Sequence, residues 1–276
     1  MSLPLVSIRI ALYNHEKYIE KTLDSILEDS YPNKEIIIID DGSKDKSDNI
    51  VLSWIEKNKK EIDIIYKSRE NKGLSNTLIE LTPMCNGKYI LPLASDDYLI
   101  NNTISKRVEL LENNPNKLML ISDAIVVDGK NVKTHESGNF EFHNGNKENY
   151  FTDRGLKKEI LKNWALVGPV YMLNKDIYTV IGFHEPDLLL EDWDYAIRSV
   201  SKNVILFYDE KVAAYRVHGN NTIGNDSLAI KFIESCITTI DNHASKFGLI
   251  DRIYLWNKKR RFKRKLKKKE RLLNGK

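Results

Sequence analysis

The feature that most constrains this chain is the run KEIIIID at 34–40. Four consecutive isoleucines leave no polar face, so a strand built from them must be covered on both sides, as an interior strand of a parallel sheet is. LVSIRIA (5–11), EIDIIYK (61–67) and KYILPLA (88–94) repeat the strand signal. Between the first two strands Ile19, Leu23, Ile26 and Leu27 recur at i, i+4, i+7 and i+8, one face of a helix. Helical stretches at 46–58 and 74–82 separate the others. This β-α-β-α-β-α-β alternation predicts a mostly parallel sheet with helices on both faces. After Asp97 the rhythm loosens. We expect a helix at 103–113, a strand at 117–127, a loop or hairpin over the polar stretch 128–149, helices near 154–163 and 192–201 flanking a strand at 169–174, and strand again within 204–217.

With 276 residues and 41% hydrophobic content the chain can bury a sizeable core as one large domain or two small ones. Its N-terminal stretch MSLPLVSIRIA has no basic leader and carries Arg9 among its apolar residues, so neither a secretory signal nor a spanning helix is expected. Cys85 and Cys236 have neither metal-site spacing nor the density of a disulfide framework, which points to a reducing, cytoplasmic setting. Residues 258–276 hold 12 of the 43 Lys and Arg with one acidic residue, leaving 31 basic against 38 acidic groups elsewhere. A mildly acidic body therefore carries a basic tail. Within NKKRRFKRKLKKKERLL (257–273), Phe262, Leu266 and Leu273 sit near helical spacing, preceded by Ile250, Ile253 and Trp256. That pattern reads as a basic interfacial helix on an anionic membrane, each Lys or Arg being worth roughly 1 kcal/mol there. Nucleic acid is the disfavoured alternative for the same charge, and a frayed solvated tail is the plain one.

In an open parallel sheet ligands bind beyond the carboxyl ends of the strands. Here those ends carry Tyr13 and Asn14, then DDGS (40–43), RENKG (69–73) and SDD (95–97). No two glycines stand as G-x-G, and the one G-x-x-x-x-G (Gly219 to Gly224) continues as Asn225-Asp226, so the dinucleotide and P-loop phosphate cradles are both missing. Adjacent carboxylates such as Asp96 and Asp97 repel one another and predict a nearby cation. Carboxylates without a phosphate cradle suit a hard divalent ion that carries a diphosphate. Plainer readings exist for each: a turn at Asp40 and Asp41, a helix N-cap at Asp96 or Asp97, a cap at Asp192, and an i, i+4 ion pair between Asp194 and Arg198.

VSIRIALYNHEKYIEKTLDSIL, EIIIIDDGSKDKS, ENKGLS, YILPLASDDYL, LLEDWDYAIR and YRVHGNNT follow one another in the order and approximate spacing of the family 2 glycosyltransferases, which the chain resembles over roughly residues 4–224. The resemblance implies a GT-A fold, Rossmann-like, with a nucleotide-binding half (1–100) and an acceptor-side half (101–225), followed by a helical extension (226–276). It implies that Asp41 binds the base of a nucleotide sugar, with Tyr13, Asn14, Arg69 and Asp96 also on the donor. Asp97 and His218 become ligands of Mn²⁺ or Mg²⁺, and Asp192 becomes the base that deprotonates the acceptor, beside Glu191 and Trp193. Single-base displacement inverts the anomeric centre. The implied protein transfers one hexosyl or N-acetylhexosaminyl unit, from a UDP-sugar in the first instance, to a glycan or lipid-linked acceptor at the inner face of the membrane, in cell-surface polysaccharide biosynthesis. A catalytically degenerate, membrane-associated assembly module is the alternative. The chain departs from the family at Ala94, where many relatives carry an additional Asp, and at Thr77 and Ile79 in the ENKGLSNTLI run. It contains no glutamine, hence no Q-x-x-R-W motif of processive synthases.

Overall fold

A computed structural model describes residues 2–186, 188–219 and 228–273. Its elements follow as β1 (Val6–Leu12), α1 (Ile19–Glu28), β2 (Lys34–Asp40), α2 (Ser47–Asn58), β3 (Asp63–Ser68), α3 (Leu74–Met84) and β4 (Tyr89–Pro92). Then come β5 (Tyr98–Leu99), α4 (Ile104–Asn113), β6 (Met119–Asp128), β7 (Lys133–His135), α5 (Asp153–Lys162), β8 (Tyr171–Asn174), α6 (Ile177–Ile181), α7 (Glu191–Ser201) and β9 (Ile205–Val217). Two further helices, α8 (Ala229–His243) and α9 (Leu249–Leu273), follow. Among the described residues the strands form one sheet in the order β3-β2-β1-β4-β8-β6-β9-β5, with β7 paired to β6. β1 to β4 are mutually parallel, β8 is antiparallel to both β4 and β6, and β6 runs parallel to β9. The expected α/β architecture and its element order are borne out.

The isoleucine run behaves as its composition requires. Ile36 and Ile38 enter one core with Leu23, Ile26, Val51 and Val108, whereas Ile37 and Ile39 enter another with Leu81, Ile160, Trp193 and Ile197. All four are fully buried. At roughly 1.5–3 kcal/mol for each buried aliphatic side chain, register at β2 is strongly fixed, because a one-residue slip would exchange the two cores. The stretch expected as a loop or hairpin at 128–149 makes a short hairpin through β7 and then a helical turn over Gly138–Phe142.

The division expected at 225 and 226 lies outside the described residues. Beyond it, Cys236, Ile240 and Leu255 are buried in the same core as α5 and α7. α9 is one continuous helix through most of the basic run. Lys258 on it donates to the carbonyl oxygens of Leu161 (2.8 Å) and Lys162 (2.9 Å), which close α5, and lies 4.7 Å from the Trp193 ring centre. No described helix is long and apolar enough to cross a membrane.

Candidate functional site

Because β1 to β4 run parallel, Tyr13 and Asn14, Asp40 to Ser43, Arg69 to Gly73 and Ser95 to Asp97 all emerge at one edge of the sheet. Strand order reverses direction at β1, which has β2 on one side and β4 on the other, so the crevice open to a ligand lies beyond β1 and β4. The loop after β1 is laced to the loop after β2. The backbone N–H groups of Asn14, His15 and Glu16 donate to Ser43 Oγ, Ser47 Oγ and Asp45 Oδ2, each at 2.9 Å. Asn14 Oδ1 and Glu16 Oε2 accept in return from the N–H groups of Lys44 (2.7 Å) and Lys46 (2.9 Å). Asn14 adopts φ 54°, a left-handed turn that asparagine tolerates. Its amide oxygen thus accepts one bond from the Lys44 N–H, and the Tyr13 side chain is exposed at the rim.

Asp40 closes a turn, Oδ1 accepting from the Ser43 N–H at 2.8 Å, as its plainer reading had it. Asp41 does something else. Its Oδ1 accepts from Arg69 Nη1 and the Lys72 N–H (2.7 Å), and its Oδ2 from the Gly73 N–H (2.9 Å). Each carboxylate oxygen has about two lone-pair sites, so Oδ2 retains acceptor capacity while the side chain is held rigid. Arg69, expected on the donor, is a brace behind Asp41, also reaching Glu80 Oε2 (2.8 Å) and Thr77 Oγ1 (2.9 Å). Thr77, where many relatives carry Ala, is thus one of the points that fix the brace. Gly42 is required here: φ is +76°, and a Cβ would stand 2.8 Å from the Asn71 nitrogen and 3.0 Å from the Arg69 carbonyl oxygen.

The SDD segment is a turn, Asp97 N–H donating to the Ala94 carbonyl (3.2 Å), and Thr22 Oγ1 ties it to α1 through the Asp97 carbonyl (2.6 Å). Asp97 Oδ1 accepts from the Arg216 N–H at 2.7 Å. Burial, then the charge of Asp96, holds the Asp97 carboxyl well above the usual range, against the Arg216 N–H and guanidinium. Asp96 Oδ2 faces His218 Nε2 at 2.9 Å and His15 Nε2 at 3.9 Å. One ligand-type atom from each of His15, Asp96 and His218 falls within 4.8 Å of the others. The carboxylate that the fold brings to His218 is therefore Asp96, while Asp97 turns to the β9 backbone. Ala94 is exposed at the edge of this cluster.

Two residues of this cluster had no role in the sequence reading. His15 donates or accepts through Nδ1 at Ser95 Oγ (2.7 Å), and burial holds its imidazole below the usual pKa despite the opposing pull of Asp96. Arg216 supplies fixed positive charge: its Nε donates to the Asp96 carbonyl (2.6 Å), its Nη1 to Asn131 Oδ1 (2.6 Å), and its guanidinium lies 4.6 Å from the Tyr18 ring centre. Tyr18 in turn stacks on His218, ring centres 4.8 Å apart. The motif spacing in YNHEKY placed His15 three residues from Tyr18, but only the fold brings either to β9.

The second acid centre is the start of α7, where Glu191, Asp192 and Asp194 occupy the first turn and the helix dipole favours their charge. Asp192 Oδ1 accepts from the Trp193 N–H at 2.7 Å. Glu191 and Asp192 keep a little accessible surface but are otherwise walled by protein. Burial pushes Asp192 up to about 6. Burial and then the Asp192 charge push Glu191 up to about 8, opposed by nearby Arg9. Arg9 is itself buried, donating to Thr82 Oγ1 (2.5 Å) and paired with His184 Nε2 (2.9 Å). Asp194 takes the plainer reading: its Oδ2 lies 2.8 Å from Arg198 Nη2 and its Oδ1 2.7 Å from His243 Nε2, all three buried. Arg198 Nη1 also donates to the carbonyls of Ile181 and Phe183, both at 2.7 Å, pinning the segment that leads into α7. Trp193, expected on the acceptor side, is 1% exposed and donates Nε1–H to the Ile160 carbonyl at 2.9 Å, so it is a core residue. The α7 periodicity explains this, since Trp193, Ala196, Ile197 and Val200 share the buried face.

Tyr215 on β9 is within electrostatic range of both centres. Burial, and then the charges of Asp97, Asp96 and Asp192, raise its phenol above the usual range.

The sequence profile of Glycosyl transferase family 2 matches residues 7–180. The chain is 28% identical to an uncharacterized glycosyltransferase of Rickettsia typhi and 27% identical to another of Methanocaldococcus jannaschii. Each alignment covers 79% of this chain; it covers 66% of the first relative and 72% of the second. Among solved structures, a mannosyltransferase of Pyrobaculum calidifontis in complex with GDP-Man and Mn²⁺ superposes with a TM-score of 0.66 at 16% identity, over 94% of this chain and 70% of that one. Residues 1–349 of S. aureus TarS in complex with UDP-GlcNAc give 0.65 at 17% identity, over 86% and 65%. These likenesses establish a shared GT-A fold.

Proposed function

The chain belongs to glycosyl transferase family 2, and from that premise we propose that it is an inverting, metal-dependent glycosyltransferase. In this reading it moves one sugar from a nucleoside-diphosphate sugar, a UDP-sugar in the first instance, to a hydroxyl of a glycan or lipid-linked acceptor in cell-surface polysaccharide biosynthesis. The observation that supports it is the gathering of His15, Asp96 and His218 beyond the carboxyl ends of the parallel strands, one ligand-type atom of each within 4.8 Å of the others. An inverting transfer needs a donor-binding centre and a base on opposite sides of one carbon, and this reading assigns those roles to the strand-end cluster and to Asp192.

On the donor side, Asp41 offers Oδ2 to an N–H of the base, with the Tyr13 ring and the Asn14 amide alongside and Asp96 toward the ribose. The residues fit a divalent ion: a carboxylate faces an imidazole at 2.9 Å, beside a second carboxylate whose burial and neighbour leave its negative charge poorly compensated. Asp96, Asp97 and His218 would hold it, and Mn²⁺ or Mg²⁺ bound there would supply Lewis-acid stabilisation of charge on the diphosphate leaving group. On the acceptor side, Asp192 takes the hydroxyl proton. With a pKa pushed up to about 6 it is ionised near neutrality yet more basic than a solvated Asp. Glu191, pushed up to about 8, keeps its proton there and can orient the acceptor by donating an O–H. With one base and no enzyme nucleophile invoked, displacement is direct and the configuration inverts.

α9 supplies the membrane contact of this reading. Leu249, Ile250, Ile253 and Trp256 are exposed on it, next to eleven Lys and Arg between 258 and 271, an amphipathic combination suited to the anionic inner leaflet. Thermal unfolding with a panel of nucleotide sugars, with and without Mn²⁺, tests the enzymatic core of the proposal. A ligand at a hundredfold excess over its Kd should stabilise the fold by about 2.7 kcal/mol. If no nucleoside diphosphate or its sugar raises the transition, the degenerate assembly module takes its place.

A further inference from the structure

We propose that His15 is a further protein ligand of the cation, beyond Asp96, Asp97 and His218, and that with His218 it biases the site toward the later first-row transition ions and against Mg²⁺. The inference rests on the metal-dependent reading above and adds to it a ligand from the opposite end of the chain. His15 Nε2 lies 3.9 Å from the same Asp96 Oδ2 that His218 Nε2 approaches to 2.9 Å, and all three ligand atoms fit within 4.8 Å. The two imidazoles meet edge to face, ring centres 5.6 Å apart, so that both nitrogens address one oxygen.

His15 also has the support that a ligating imidazole requires. A metal-bound histidine characteristically donates its other ring N–H to an oxygen, which fixes tautomer and orientation. Here Nδ1 lies 2.7 Å from Ser95 Oγ, and Ser95 is itself 1% exposed, its carbonyl held by Thr22 Oγ1 at 3.1 Å. With Nδ1–H donating to that hydroxyl, the Nε2 lone pair is the one turned toward Asp96. The His15 backbone is equally constrained: its N–H is bound to Ser47 Oγ, and its carbonyl accepts from the N–H groups of Tyr18 and Ile19, both at 3.0 Å.

The donor set decides the selectivity. Mg²⁺ demands oxygen ligands in near-ideal octahedral geometry and keeps most of its waters, so a second imidazole gains it little. Imidazole nitrogen suits Co²⁺, Ni²⁺ and Zn²⁺ far better, with Mn²⁺ the weakest of the series.

The test uses the full chain, wild type and His15→Gln, with Mn²⁺ or Co²⁺ as the only added ligand. Pulsed EPR of bound Mn²⁺ should count two imidazole nitrogens in the wild type and one in the variant. Co²⁺ affinity, followed by its visible absorption, should fall at least about tenfold, and Ser95→Ala should lower it in the same direction. Mg²⁺ affinity, read by competition, should change little. One nitrogen in the wild type, or an unchanged count and Co²⁺ affinity in His15→Gln, overturns the role of His15 and leaves the metal-dependent reading standing. A wild-type chain that binds neither Mn²⁺ nor Co²⁺ overturns both. Because the wild-type count is decisive alone, a variant that failed to fold would not protect the proposal.

Discussion

Replacing Asp192 by Asn isolates the proton-transfer step. The change is nearly isosteric, and the amide oxygen can still accept from the Trp193 N–H at the 2.7 Å contact, so α7 should start where it does now. What disappears is the base. A positioned carboxylate contributes about 10² to 10⁴ in rate, roughly 3–5 kcal/mol of barrier, and the Asp192→Asn variant should lose that factor in kcat at pH 7.5. The pH profile supplies the sharper criterion. With a pKa of about 6, wild-type Asp192 is about nine-tenths ionised at pH 7 and about one-tenth at pH 5. Wild-type activity should therefore fall about tenfold between those limits, while the variant stays flat, so the gap between them narrows as pH falls. Nucleotide release at saturating donor and acceptor measures kcat, and calorimetric titration with the nucleotide measures binding, which should change less than about twofold since Asp41 and its brace are untouched. A variant that retains more than a tenth of wild-type kcat, or that still shows the acid limb near pH 6, would remove Asp192 from the mechanism.

Glu191→Gln should stabilise the fold at pH 8 and not at pH 4.5: burial raises the carboxyl, so the cost of charging it is absent below its unfolded pKa and grows as pH rises toward about 8. With screening at its part-exposed edge, about 2 kcal/mol or a shift of roughly 4–8 °C is expected by calorimetry; equal transitions at both pH values would refute it. Arg198→Met leaves Asp194 buried with only His243 to compensate it and strips donors from the Ile181 and Phe183 carbonyls, so urea unfolding should register a loss of about 3–5 kcal/mol. Charge reversal at Arg260, Arg261 and Arg264 should abolish co-sedimentation with vesicles containing anionic lipid while leaving the thermal transition in place, and wild-type binding should weaken with salt. Equal binding to neutral vesicles would argue against an electrostatic contact.

Much of the fold was legible because its signals are local. The isoleucine run declared a doubly covered strand, and the 3.6-residue spacing of Ile19, Leu23 and Ile26 declared the helix beside it. Parallel connectivity then placed four polar strand ends together. What the sequence could not display are contacts made across long separations. The cation sought beside Asp96 and Asp97 has a partial answer in Arg216, about 120 residues away in the chain, and no spacing rule links them. The division of labour between the two aspartates was likewise set by which one reaches β9 through a side chain and which through the backbone. Trp193 was misplaced for a simpler reason: adjacency to Asp192 on a helix turns a residue by about 100°, so neighbours in a motif need not share a surface.

The grip of Lys258 and His243 on the back of α7 bears on how such a protein can be cut, joined or inherited. The family profile ends at residue 180, before Asp192 and before either clamp, so the recognisable unit is shorter than the packed one. Leu255, Ile240 and Cys236 complete the hydrophobic layer against which α5 and α7 lie. A recombination point or chimera junction set between the strands and α8 would carry the motifs across intact yet leave that layer wet. Exchange of the C-terminal region between relatives should succeed only where both the lysine over Trp193 and the imidazole on Asp194 travel with it. The part of the chain with the least family signature is thereby the part least free to be swapped.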